Sequence, residues 1–188
     1  NITKTLGGPG GWVTPFIVQN VGTVATTLEV SFYRFSDGAL VACRKISGLG
    51  PGTSFADMPN NDVDLPDNSQ FSVVVRSFGS PVVSVVNEHQ GQGTTAEALS
   101  YVGLSSGATR VALPYVAKNV EGWVTTFVLQ NLGNADTAVT ATFTGASSSE
   151  YLLTVSKSGD GYGTVLSEPY GIQLGTIAPY DSAKFQTG

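Results

Sequence analysis

One phrase of twelve residues occurs twice in this chain. Gly11-Trp12-Val13-Thr14-Pro15-Phe16-Ile17-Val18-Gln19-Asn20-Val21-Gly22 returns as Gly122-Trp123-Val124-Thr125-Thr126-Phe127-Val128-Leu129-Gln130-Asn131-Leu132-Gly133, displaced by 123 − 12 = 111 residues. About two thirds of the positions are identical and the rest mostly swap like for like, which chance rarely gives. Such a chain is built from tandem copies of one module. The residues just after each phrase show how the module is made. Leu28, Val30 and Phe32 alternate with Thr27, Glu29 and Ser31, and Val139, Ala141 and Phe143 alternate with Thr140, Thr142 and Thr144. A period of two means a strand with one face on a core and one in solvent. The phrase itself predicts strands over residues 13–18 and 124–129. They are apolar on both faces and therefore expected to be deeply buried. Asn20-Val21-Gly22 and Asn131-Leu132-Gly133 supply turn chemistry, with Asn bonding its own backbone and Gly permitting positive φ.

A second landmark recurs at another distance. Leu49-Gly50-Pro51-Gly52-Thr53-Ser54-Phe55 resembles Ile177-Ala178-Pro179-Tyr180-Asp181-Ser182-Ala183, now with an offset of 182 − 54 = 128. The second copy therefore carries 128 − 111 = 17 additional residues before this turn. They fall in residues 159–172, rich in Gly and Tyr, and predict a loop or an extra hairpin. Beyond the turn the copies diverge. The first continues through four more β-branched and aromatic runs: residues 71–75, 82–86, 99–102 and 111–115. The second has no counterparts of these before Gly188. Helix signals are nearly absent, with a single turn conceivable over residues 95–99. The fold expected is all-β: two tandem antiparallel β-sandwich modules, the second shortened. The divisions are residues 1–10 as an N-terminal arm, 11–115 as the first module and 116–188 as the second.

The pattern Trp-x-Thr-x-Phe, then Gln-Asn-x-Gly, a Thr/Val-rich strand and a Pro-x-x-Ser turn resembles tandem immunoglobulin-like β-sandwich repeats of bacterial and archaeal extracellular surface proteins. The resemblance spans residues 11–55 and 122–185. It implies an Ig-like sandwich serving as a stalk, surface-layer part, filament subunit or appendage to a carbohydrate-active enzyme. It carries no catalytic motif.

Composition narrows the function classes. Of 188 residues, 41% are hydrophobic, so the chain can bury a core. Only 12% are charged, about half the usual share. Thr, Ser, Asn and Gln supply the missing polarity, and neutral polar groups are less costly to bury against a neighbour than charges. The net charge of −5, with no stripe of Lys or Arg, gives a phosphate backbone nothing to bind, so no nucleic-acid partner is expected. No run of about 18 apolar residues exists to span a membrane. The first residue is Asn1 rather than Met, which suggests a removed leader or a fragment. Cys43 is the single cysteine, so no internal disulfide is possible, and its apolar run predicts a buried, inert thiol. Asn1-Ile2-Thr3 matches the acceptor for N-linked glycans.

Candidate chemistry is sparse. His89 is the only histidine, and no Gly-x-Ser-x-Gly elbow accompanies it. Asp62, Asp64 and Asp67 lie in a stretch with Asn60, Asn61 and Asn68, where oxygen ligands at short spacing suit calcium. The spacing and glycine of an EF-hand are missing, and a polar loop punctuated by Pro59 and Pro66 accounts for them as well. Trp12 and Trp123 are expected in the cores. Tyr162 and Tyr170 are candidates for a ligand or interface loop. The segment Ile2, Thr3, Lys4, Thr5 and Leu6, separated from the module by Gly-rich residues 7–11, is a candidate donor strand for a neighbouring subunit. The expectation is a non-enzymatic structural subunit of an extracellular or cell-surface assembly, self-associating into a homopolymer without a cofactor. The rival is a carbohydrate-binding or adhesion module with glycan partners.

Overall fold

The computed structural model describes residues 1–91, 96–146, 150–157, 165–166, 173–174 and 182–186, with side chains as far as residue 143. The chain divides into two compact units, one made of Asn1–Phe35 with Ala39–Ser105 and one of Ser36–Gly38 with Ser106–Gly188.

The first unit has eight strands: β1 (Ile2–Lys4), β2 (Phe16–Asn20), β3 (Thr26–Arg34), β4 (Leu40–Leu49), β5 (Ser54–Asp57), β6 (Ser69–Ser77), β7 (Val82–Gln90) and β8 (Glu97–Val102). A 3-10 turn, Pro59–Asn61, follows β5. The strands form two four-stranded antiparallel sheets, ordered β1-β6-β3-β4 and β5-β2-β7-β8. Residues 97–99, part of the 95–99 stretch where a helical turn was conceivable, belong to strand β8 together with the expected strand residues 99–102.

The apolar alternation of β3 builds the core. Leu28, Val30 and Phe32 are fully buried, packed with Ile2 and Phe71 of their own sheet and with Phe16, Val18 and Val86 of the other. Aromatic edges meet across the two layers and within one of them, Phe16 of β2 against Phe32 of β3 and Phe32 against Phe71 of β6 in its own sheet. Phe16 and Phe32 stand 6.2 Å apart between centroids, Phe32 and Phe71 6.3 Å and nearly perpendicular. Such tilted pairs suit the ring quadrupole. The strand β2 is central in its sheet, yet only Phe16, Val18 and Asn20 face inward. Ile17 is exposed, so this strand is buried on one face rather than both.

Asn20 is fully buried and closes the β2–β3 connection. Its Nδ2 donates to the carbonyls of Val24 (2.8 Å) and Leu49 (2.9 Å), and its Oδ1 accepts from the Gly22 amide (2.9 Å). Asn131 repeats this arrangement with Ala135 (2.8 Å) and Gly133 (2.9 Å). Gly22 is not among the positive-φ glycines. A Cβ there would lie 2.6 Å from the Ser80 Cβ and 2.9 Å from the Pro81 Cδ, so close approach, not a left-handed backbone, calls for glycine.

The second unit comprises β9 (Arg110–Val116), β10 (Lys118–Val120), β11 (Trp123–Val124), β12 (Thr126–Gln130), β13 (Val139–Ala146), β14 (Glu150–Lys157), β15 (Val165–Leu166), β16 (Gln173–Leu174) and β17 (Ser182–Gln186). It repeats the opening of the first. β13 pairs with β14 as β3 pairs with β4, and β12 pairs with β17 as β2 pairs with β5. The register is the same to the residue: Gln19 faces Ser54, and Gln130 faces Ser182. These are the positions that the two offsets equate. A short ladder, Val165 opposite Leu174 and Leu166 opposite Gln173, begins among the additional residues and closes just past them.

Two boundaries differ from expectation. The division falls between Ser105 and Ser106 instead of at 115/116, because residues 111–115 lie in β9, which pairs with β14. Residues 1–10 are not a separate arm. β1 is an edge strand of the first unit, with Ile2 opposite Phe71 and Lys4 opposite Ser69.

Candidate functional site

The acidic loop after β5 already holds the chain's own cations. Lys4 is buried on β1, and its Nζ donates to the carbonyls of Asp62 (2.6 Å) and Leu65 (2.8 Å) while pairing with Asp67 Oδ1 at 3.1 Å. Arg44 on β4 crosses between the sheets. Its Nη1 donates to Asp57 Oδ2 at 2.7 Å, its Nη2 pairs with the Asp62 carboxylate, and its guanidinium lies 5.0 Å above the Phe32 ring. Asp57 is buried, and that burial raises its pKa; the Arg44 charge and hydrogen bond oppose the rise without cancelling it. Asp62 Oδ1 accepts the Asp64 amide at 2.9 Å, and Asp64 itself is exposed. So of the three candidate calcium ligands, Asp62 and Asp67 are brought to Lys4 and Asp64 is not. Among the described residues, no group of three His, Cys, Asp or Glu side chains stands together as a metal-ligand set.

The donor-strand candidates Ile2, Thr3 and Lys4 are buried in their own module. Thr3 is completely enclosed, its hydroxyl 2.7 Å from that of Thr14. Thr5 holds a left-handed conformation (φ 47°), with its hydroxyl accepting the Asn68 amide at 3.0 Å, and Leu6 bridges Trp12. The segment is thus committed within the chain. The apolar residues that made it look like a donor are the ones its own core uses.

Other expectations divide. His89 is exposed on β7, and its backbone exchanges two 2.9 Å bonds with Val13. Cys43 is exposed, not buried: on β4 it takes the outward phase of the alternation, 3.6 Å from the Ser31 hydroxyl. Trp12 is half-buried, but Trp123 is 74% exposed, which corrects the expectation of a core indole. Its strand β11 has two residues and, among the described residues, pairs with β10 alone, across the Glu121-Gly122 turn, where both φ values are positive. Equivalent position in the repeat carried neither equivalent burial nor an equivalent partner: Trp12 bridges Leu6, and Trp123 pairs with Val120. Tyr162 and Tyr170 lie outside the described residues.

Sequence reasoning passed over one region, the outer face and free edge of β5-β2-β7-β8. Ile17, Val85 and Val102 stand side by side in register and are all exposed, with Val83 beside them. On the other face of β8, Leu99 is 58% exposed. The Tyr101 hydroxyl donates to the Asn1 carbonyl at 2.6 Å, and burial, with the nearby Glu88 charge, raises its pKa above the usual range. The alternation in residues 97–102 is apolar in both phases, and that was the available signal.

No protein-family model, curated protein or solved structure matches this chain. Among the described residues, no helix is long and apolar enough to cross a membrane.

Proposed function

We propose that the chain is a non-enzymatic structural subunit of an extracellular assembly such as a surface filament, pilus-like fibre or surface layer, and that its two units are Ig-like modules. The observation that carries this reading is the tandem repetition of one antiparallel module in the same register, Gln19 on Ser54 and Gln130 on Ser182. Repetition of this kind serves length and multiplicity of contact. A surface poor in charge and rich in neutral polar groups supports close packing against copies. Exchange of the N-terminal strand belongs to the proposal in an altered form. The arm would take, beside β6 of a neighbour, the place it holds in its own chain, with Gly7, Gly8 and Gly10, all at positive φ, as the hinge. Electron microscopy of the purified protein tests the reading: regular polymers support it, and dispersed monomers at high concentration sink it.

A carbohydrate-binding or adhesion module is the second reading, favoured by the exposed indole of Trp123. Exposed aromatic faces stack on sugar rings. Glycan retention that Trp123→Ala abolishes, on a protein that stays dispersed, would decide for it.

A further inference from the structure

The first unit has four edge strands, and three of them are guarded. β1 and β5 have three and four residues. β4 has ten but carries Arg44 and Lys45, and its register with β3 is broken by irregularities toward both ends. Short strands, basic side chains and bulges are the usual means of keeping an edge from pairing with another chain. β8 has none of them. Its six residues, Glu97-Ala98-Leu99-Ser100-Tyr101-Val102, contain no Lys, Arg or Pro, and its register with β7 is unbroken. All six are exposed.

The phase of the ladder says which groups this edge offers. The Gly103 amide donates to the Ser84 carbonyl at 2.9 Å, so residues 103, 101, 99 and 97 turn their backbone groups toward β7. Ala98, Ser100 and Val102 therefore turn theirs to the open side.

We infer that β8 is a self-pairing edge: β8 of a second copy adds antiparallel to it about a two-fold axis through Ser100, joining two sheets into one of eight strands. The inference rests on the assembly reading and names its contact. Three features single out a second copy as the occupant. First, a two-fold axis at Ser100 pairs Ser100 with Ser100 and Ala98 with Val102, and these are the residues whose backbone groups face outward. Second, the same register sets Leu99 opposite Tyr101 of the second copy. Both stand on the face that carries Val86 and Phe16, so each exposed apolar side chain covers another. On the outer face it extends the row of Ile17, Val85 and Val102. Third, Glu97, the only charge on the strand, falls opposite Gly103, far from its own copy, so no like charges meet.

A cysteine pair across the axis tests this on the full chain with Cys43→Ser as background. Opposed Cα atoms in a hydrogen-bonded antiparallel pair lie about 5.5 Å apart, within disulfide reach. Ser100→Cys should therefore cross-link to a dimer under mild oxidation. Ala98→Cys alone should not, whereas Ala98→Cys mixed with Val102→Cys should. The cysteine-free background should run as a dimer by light scattering. Failure of Ser100→Cys to cross-link, or equal cross-linking of Ala98→Cys alone, overturns the inference. Polymers seen by microscopy without the Ser100 cross-link would reject this contact and leave the assembly reading standing. A cross-linked dimer that never polymerises would do the reverse, and loss of both would reject both.

Discussion

Phe32 and Trp123 show how little residue type alone says about energy. Phe32 is sealed between two phenylalanine rings and the Arg44 guanidinium, so Phe32→Ala should cost about 3–5 kcal/mol. Trp123→Ala should change stability by no more than about 0.5 kcal/mol, since the indole leaves solvent only slightly on folding. Urea unfolding of both variants checks the pair, and the reverse order would refute the placement of the two rings. Gly22→Ala drives a methyl into Ser80 and Pro81, and a cost of about 1–3 kcal/mol is expected by the same measurement. Asp57 carries a pH dependence whose sign is fixed by its environment. Its folded pKa lies above the usual 3.8, so the folded state holds the proton more tightly than the unfolded chain does. Its contribution is most favourable below pH 3.8 and is lost as the pH rises through the raised value. The stability of wild type relative to Asp57→Asn should therefore fall across that window and then level off. A flat or rising difference in urea titrations at several pH values would contradict it.

At the scale of elements, β1 is the strand whose role changed most between sequence and structure. Ile2 is only 2% exposed and faces Phe71 across the ladder, so Ile2→Ala should cost about 2–5 kcal/mol and loosen the edge of β6. Amide exchange at Ser69 and Phe71, whose backbone groups face β1, would report the loosening. Protection unchanged from wild type would mean that β1 is dispensable. The elements legible in the sequence were those whose alternation needed no partner to interpret. Leu28, Val30 and Phe32 in β3 are the inward set, and the two offsets equated residues that turn out to pair alike, Gln19 with Ser54 and Gln130 with Ser182, although the pairing itself was not legible. Elements set by tertiary choice were not legible. Nothing local distinguishes a free arm from an edge strand, since Ile2 suits a neighbour's core as well as its own. Likewise Cys43 sits in an apolar run, and only the phase of β4 against β3 turns it outward. The acidic loop looked like a metal site because sequence spacing shows oxygens and does not reveal that Lys4, 58 residues earlier than Asp62, is already among them.

For the whole molecule, the structure contains one module built in full and a second that repeats its first pairings. Polymer formation and the cross-link at Ser100 are the tests at this scale. The Lys4 ammonium, seated among the Asp62, Leu65 and Asp67 oxygens, has a separate consequence. A cation carried on a side chain of the same chain does not have to be drawn from the medium as a metal ion would; it comes at one copy per loop. The first module should then melt at the same temperature in chelator as in millimolar calcium, which a pair of thermal scans would reveal. It should instead be vulnerable to chemistry that erases an amine's charge. Acylation of Lys4 in the unfolded chain, followed by refolding, should leave a single neutral N–H where the ammonium donated to both the Asp62 and Leu65 carbonyls and paired with Asp67. An anchor of this kind leaves the loop indifferent to water hardness and exposes it to lysine modification.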